Sequence, residues 1–194
     1  MDKKIIKQHM LDDLYAPYAR CTLCPLATAG RTHVVFGRGN PNATLLLIGE
    51  GPGKEEDLLG LPFKGRSGKL LSKALQSLEI NEDDLYITNI VKCRPPQNRA
   101  PLPHEINTCM NLFLKHQISI INPVAIGTLG ATATQSLICR QEKFSILQDQ
   151  DHFYATIPVI PIYHPAYILR NPKAFPLFLK NLKKVYKQSQ KLTI

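Results

Sequence analysis

With 194 residues, 44% of them apolar, the chain is long enough to bury a sizeable core within one domain spanning residues 1–194. No apolar run reaches the length of a membrane span, and the opening MDKKIIKQHMLDD lacks the continuous apolar core of a signal peptide, so a cytoplasmic protein is expected. The net charge is +9, and no Asp or Glu occurs between His152 and Ile194, where Arg170, Lys173, Lys180, Lys183, Lys184, Lys187 and Lys191 lie. Such a segment suits a polyanion through counterion release, although a solvated helix face produces the same pattern.

The first residues read as a short amphipathic helix, and residues 1–40 include CTLCPL, a CxxC that opens a turn. An apolar strand at 44–48 runs into GEGPG, where three alternating glycines let a ligand approach the backbone. The same loop carries Glu50, Glu55, Glu56 and Asp57, which repel a phosphate. A Walker A loop needs a glycine five positions before Gly–Lys and a Ser or Thr after it. Gly53–Lys54 is flanked there by Ile48 and Glu55, and Gly68–Lys69 by Phe63 and Leu70. The spacing is not GxGxxG either, and no helix start is evident at the third glycine.

Further strands are expected at 85–91, 123–127 and 157–163, with helices at 67–78, 103–117, 129–138 and 173–188. Strand alternating with helix implies right-handed crossovers and a three-layer α/β/α fold around a central, mostly parallel four-stranded sheet. Glu50, Asn89 and His164 fall at or just past strand carboxyl ends, where open parallel sheets bind ligands. KCRPPQNRAPLP, residues 92–103, is too proline-rich to be regular.

Cys21 and Cys24, with Cys93 in that loop and Cys109 in the next helix, make two distant pairs able to close a zinc tetrahedron or a 4Fe-4S cluster; spacing does not choose between them. A reducing compartment argues against disulfides. Cys139 has no partner pattern and is expected to be a buried thiol.

GEGPG, LPFKGRSGKLL (61–71), TNIVKCRPPQNRAP (88–101) and HPAYILR (164–170), in that order with CTLC upstream and Cys109 downstream, resemble a family 4 uracil-DNA glycosylase, the iron–sulfur class. The likeness runs from Cys21 to Arg170, with Gly51 where the family's GEAPG has alanine. It implies a monofunctional enzyme that flips uracil out of DNA and hydrolyses its N-glycosidic bond in base excision repair, leaving an abasic site. The implied cofactor is a 4Fe-4S cluster on Cys21, Cys24, Cys93 and Cys109. The implied catalytic groups are Glu50, Asn89 and His164, with Gly49, Gly51 and Phe63 at the base and Glu56 against the thymine methyl. Arg94, Arg99 and Arg170 would hold phosphates, and Ile168 or Leu169 would wedge into the duplex. DNA, single- or double-stranded, is the implied partner of a monomer. The stretch NRAPL (98–102) lacks the histidine expected of a covalently attaching relative. The competing reading is a metal-stapled DNA-binding module without catalysis.

Overall fold

The computed structural model describes residues 2–191. Helix α1 (Lys3–Tyr15) starts on Asp2, whose carboxylate accepts the Lys4 amide, and buries Leu11. After the CxxC turn come β1 (Arg38–Gly39), β2 (Leu45–Gly49), α2 (Lys54–Leu59), α3 (Arg66–Ser77) and β3 (Tyr86–Asn89). The proline-rich loop leads to α4 (Pro103–Cys109), which continues through a π-helical turn at Met110–Leu114 into α5 (Lys115–Ile121). Then follow β4 (Ala125–Leu129), α6 (Ala131–Ile138), α7 (Phe144–Gln148), β5 (His152–Tyr154), β6 (Ile157–Ile162), α8 (Pro165–Arg170) and α9 (Phe175–Ser189).

The sheet order is β1-β3-β2-β4-β6-β5, in which β3, β2, β4 and β6 are parallel and the two outer strands antiparallel. The sheet therefore has six strands rather than the four expected. The edge strands are two and three residues long, too short for an alternating pattern to register. Every residue of β2, β3 and β4 is buried, as helices on both faces require.

Alternation along β2 divides the core. Leu46 and Ile48 face Phe113, Ile118 and Ile121, while Leu45 and Leu47 face Leu71, Leu75, Phe178 and Leu182. In α9 the buried Phe178, Leu182 and Val185 repeat at helical spacing, which turns Lys180, Lys183, Lys184 and Lys187 to solvent. A helix does start at the third glycine of GEGPG, with Gly53 as the N-cap of α2. Its six residues are too few for a periodic signal.

Candidate active site

A cavity of about 650 Å³ opens at the carboxyl ends of the parallel strands, and Glu50, Gly51, Phe63, Asn89 and His164 all line it. Asn89 closes β3 opposite Gly49 of β2 and is 2% exposed. Its Oδ1 is buried and accepts no hydrogen bond. A buried acceptor left unpaired costs about 1–3 kcal/mol, so one that lines a cavity is poised for a donor from outside. Gly49 is not on the lining. A methyl carbon there would lie 2.4 Å from Asn89 Oδ1 and 2.6 Å from Phe63 Cζ, so its part is to make room for both. Gly51 does line the cavity, and a methyl carbon on it would lie 2.7 Å from Val91 Cγ2. Glycine at this position fits the valine of this chain.

Phe63 holds a left-handed backbone (φ 53°), unfavourable for a bulky residue. The turn is fixed on every side. Glu56 Oε1 accepts the amides of Lys64 (3.0 Å) and Gly65 (2.7 Å), and Arg38 Nε donates to the Pro62 carbonyl at 2.9 Å. Gly68 has no Cβ to block the Phe63 carbonyl, which would otherwise stand 2.0 Å from it. Glu56 thus lines the cavity while its Oε1 accepts main-chain amides. Asp57 is similarly engaged, accepting the Thr32 and His33 amides. Two of the four carboxylates of the glycine loop therefore clamp main-chain amides, and Glu50, Glu55 and Glu56 share the cavity wall with Asn89 and His164.

His164 caps α8, its Nδ1 accepting the Ala166 amide at 3.1 Å. A neutral ring in that bond carries its proton on Nε2. Burial pushes the pKa from 6.5 down to about 4, Arg170 lowers it further and Glu56 opposes. The ring is neutral at pH 7, and lies 6.0 Å from Phe63 between ring centroids.

Around the rim the expectations divide. Ile168 is 3% exposed and belongs to the core between α3 and α9, so it is not a duplex wedge; Leu169 is 41% exposed. The two share a helical turn, and only one face of a short helix is free. Arg170 is exposed on the cavity lining. Arg99 also lines it, with its guanidinium held by the buried Glu105 at 2.9 and 2.7 Å. Arg94 Nε donates to Asn98 Oδ1.

The four cysteines of the expected metal site belong to or pack against one core cluster, and Cys21 and Cys24 bear electrostatically on Cys93. The Cys24 and Cys109 thiols hydrogen bond each other; this bond draws Cys24 down to about 6 and, with burial, pushes Cys109 up. Burial also raises Cys93, against the Arg31 guanidinium, whose Nη1 stands 3.2 Å from the sulfur. Amides of Leu26 and Ala27 point at Cys24, and that of Lys92 at Cys109. Donors and cations aimed at sulfur are what thiolate-bound centres require. Among the described residues no three His, Cys, Asp or Glu side chains form a group that could hold a metal ion. Cys139 is exposed rather than buried, because α6 ends one residue before it and it takes a left-handed cap (φ 55°).

Residues 36–189 match the family model of the uracil DNA glycosylase superfamily. The chain belongs to that superfamily. A type-4 uracil-DNA glycosylase of Thermotoga maritima is 44% identical over 85% of this chain and 86% of its own. One from Archaeoglobus fulgidus is 37% identical over 90% and 91%, and one from Sulfurisphaera tokodaii 40% over 80% and 74%. As a member of the superfamily the chain has the three-layer α/β/α architecture, and no helix among the described residues is long and apolar enough to cross a membrane.

Two participants escaped the sequence. Arg38, ion-paired to Glu82 at 3.0 Å, reaches the Pro62 carbonyl from an edge strand with no readable pattern. Arg31, seven residues past the CxxC, had no motif to mark it as a partner of Cys93.

Proposed function

We propose that the cavity takes a uracil extruded from DNA and that the protein hydrolyses its N-glycosidic bond, leaving an abasic site as the first step of base excision repair. The observation that carries this reading is the unpaired, buried Oδ1 of Asn89, flanked by Phe63 and His164 in one cavity. Uracil presents an N3–H donor and an O4 acceptor, which match the Asn89 carbonyl and amide. Cytosine presents the reverse and is refused. Phe63 stacks on the base, and the clamps on its turn hold the ring before the base arrives.

As the C1′–N1 bond breaks, its electron pair moves onto uracil while the sugar becomes oxocarbenium-like. A neutral His164 donates from Nε2 to O2, where negative charge collects; such a preorganised donor is worth about 10²–10³ in rate. Glu50 orients a water toward C1′ and stabilises the cationic sugar, and the water's proton leaves through Glu50 to solvent. The Gly51 backbone contacts the base, while Gly49 makes room. Arg94, Arg99 and Arg170 contact phosphates flanking the site, and Leu169 fills the gap in the stack.

Cys21, Cys24, Cys93 and Cys109 would hold a 4Fe-4S cluster, which would fix the DNA-facing loop that begins at Cys93. The donors around the sulfurs support a negatively charged centre. The reading is of one cytoplasmic domain acting as a monomer on single- or double-stranded DNA, releasing its product.

The purified, iron-loaded protein, given end-labelled DNA with one uracil and then alkali, is expected to cleave at that position and to spare a thymine duplex. DNA binding without an abasic product would instead favour a binding module.

A further inference from the structure

Lys92 is among the largest fully buried side chains of the described residues. Its Nζ donates three hydrogen bonds of 2.7 Å each, to Thr88 Oγ1, Gln117 Oε1 and the main-chain carbonyl of Asn89. The set is closed: Thr88 Oγ1 and Gln117 Nε2 both donate to the Phe36 carbonyl, at 2.7 and 2.9 Å. All three ammonium protons are therefore placed, and Asn89 is tied at its main chain while its side chain lines the cavity. On its other side Lys92 adjoins the sulfurs. Its amide points at Cys109 Sγ, Cys93 follows it in the chain, and both sulfurs bear electrostatically on the ammonium.

A lysine buried only to fill space is expensive, because removing a charge from water costs several kcal/mol unless it is paired. Here the hydrogen bonds of Nζ go to the strand end that reads the base and to the two side chains behind it. We propose that Lys92 is a positioning residue for the base-reading amide: it locks the Asn89 carbonyl, and so the direction in which the Asn89 side chain meets uracil. The proposal rests on the base-excision reading above.

The test is a double-mutant cycle on iron-loaded protein, using Lys92→Met and Asn89→Ala alone and together. Single-turnover excision from uracil-containing single strands, inhibition by free uracil, DNA affinity and iron content are read for each. Lys92→Met is expected to slow excision about 10- to 100-fold, as small misplacements of a contacting group do, and to weaken inhibition by uracil. Iron content and DNA affinity should stay near the parent's. In the Asn89→Ala background the same change should add less than about threefold, because effects transmitted through one residue are not additive. Multiplicative losses, a parent-like rate, or loss of iron along with the rate would overturn the proposal. Should Lys92→Met fail to fold, Thr88→Val/Lys92→Met/Gln117→Leu removes two of the stranded partners, and the cycle is run on that triple variant with the same criteria. If Asn89→Ala itself excises normally, the base-excision assignment fails, a result distinguishable from failure of the Lys92 proposal.

Discussion

Asn89 and Lys92 lie three residues apart at the end of one strand, both almost wholly buried, and their polar atoms are treated in opposite ways. The lysine has each donor placed within 2.7 Å of an acceptor, whereas Asn89 Oδ1 has no partner. A folded chain ordinarily leaves few buried polar atoms unpaired, so a satisfied charge beside an unsatisfied amide separates scaffold from site without reference to motif. In the glycine loop Glu56 and Asp57 likewise hold main-chain amides, and Glu56 shares the cavity wall with Glu50.

The sharpest way to break this comparison is to remove the groups assigned to the base. Asn89→Ala and His164→Ala are each expected to lower single-turnover excision by about 10²-fold or more, with DNA affinity little changed. Parent-like turnover in both would show that the unpaired amide and the neutral ring are not the site. Gly49→Ala, which puts a carbon 2.4 Å from Asn89 Oδ1, should cost about 1–3 kcal/mol of stability by overpacking and slow excision further than that loss explains. Urea unfolding beside a rate assay at low temperature separates the two effects.

The rim offers a pair of neighbours with opposite fates. Ile168→Ala should destabilise the fold by about 2–5 kcal/mol in urea titration, as a buried aliphatic does, whereas Leu169→Ala should leave stability unaltered and weaken duplex excision only. Equal stability losses would mean that the helix presents its faces otherwise.

The smallest effect is on pH. Because His164 titrates at about 4 in the fold against an ordinary 6.5, the unfolded chain takes up the proton first. Its contribution to stability is full above 6.5 and is lost as the pH falls toward 4. Excision should therefore hold level from neutral pH to about 5 and decline as the ring becomes charged near 4; replacing His164 should flatten the stability change over that window. A rate limb near 6.5 that vanishes in the His164 variant would contradict the neutral-donor assignment.

How much of this was legible in the chain follows from local signal. The four parallel strands and five of the helices, the N-terminal one included, announced themselves through apolar runs and periodicity, and Asn89 and His164 through their places at strand ends. The edge strands, the helix after Gly53 and the exposure of Cys139 were not readable, since each spans too few residues for a period or depends on where a helix stops. Ile168 and Leu169 look alike in sequence, and only packing against α3 and α9 tells them apart. That Glu56 meets main-chain amides was not readable either, since the turn holding Phe63 decides it.

The central claim, that Asn89 keeps an acceptor free for uracil, is tested most directly by comparing excision of uracil from labelled single-stranded DNA by the parent protein and Asn89→Ala, matched for folding and iron. The account predicts uracil-dependent abasic sites from the parent and a rate lower by about 10²-fold in the variant with similar DNA binding. Equal rates in the two proteins, or no abasic product from the folded and iron-loaded parent, would contradict it.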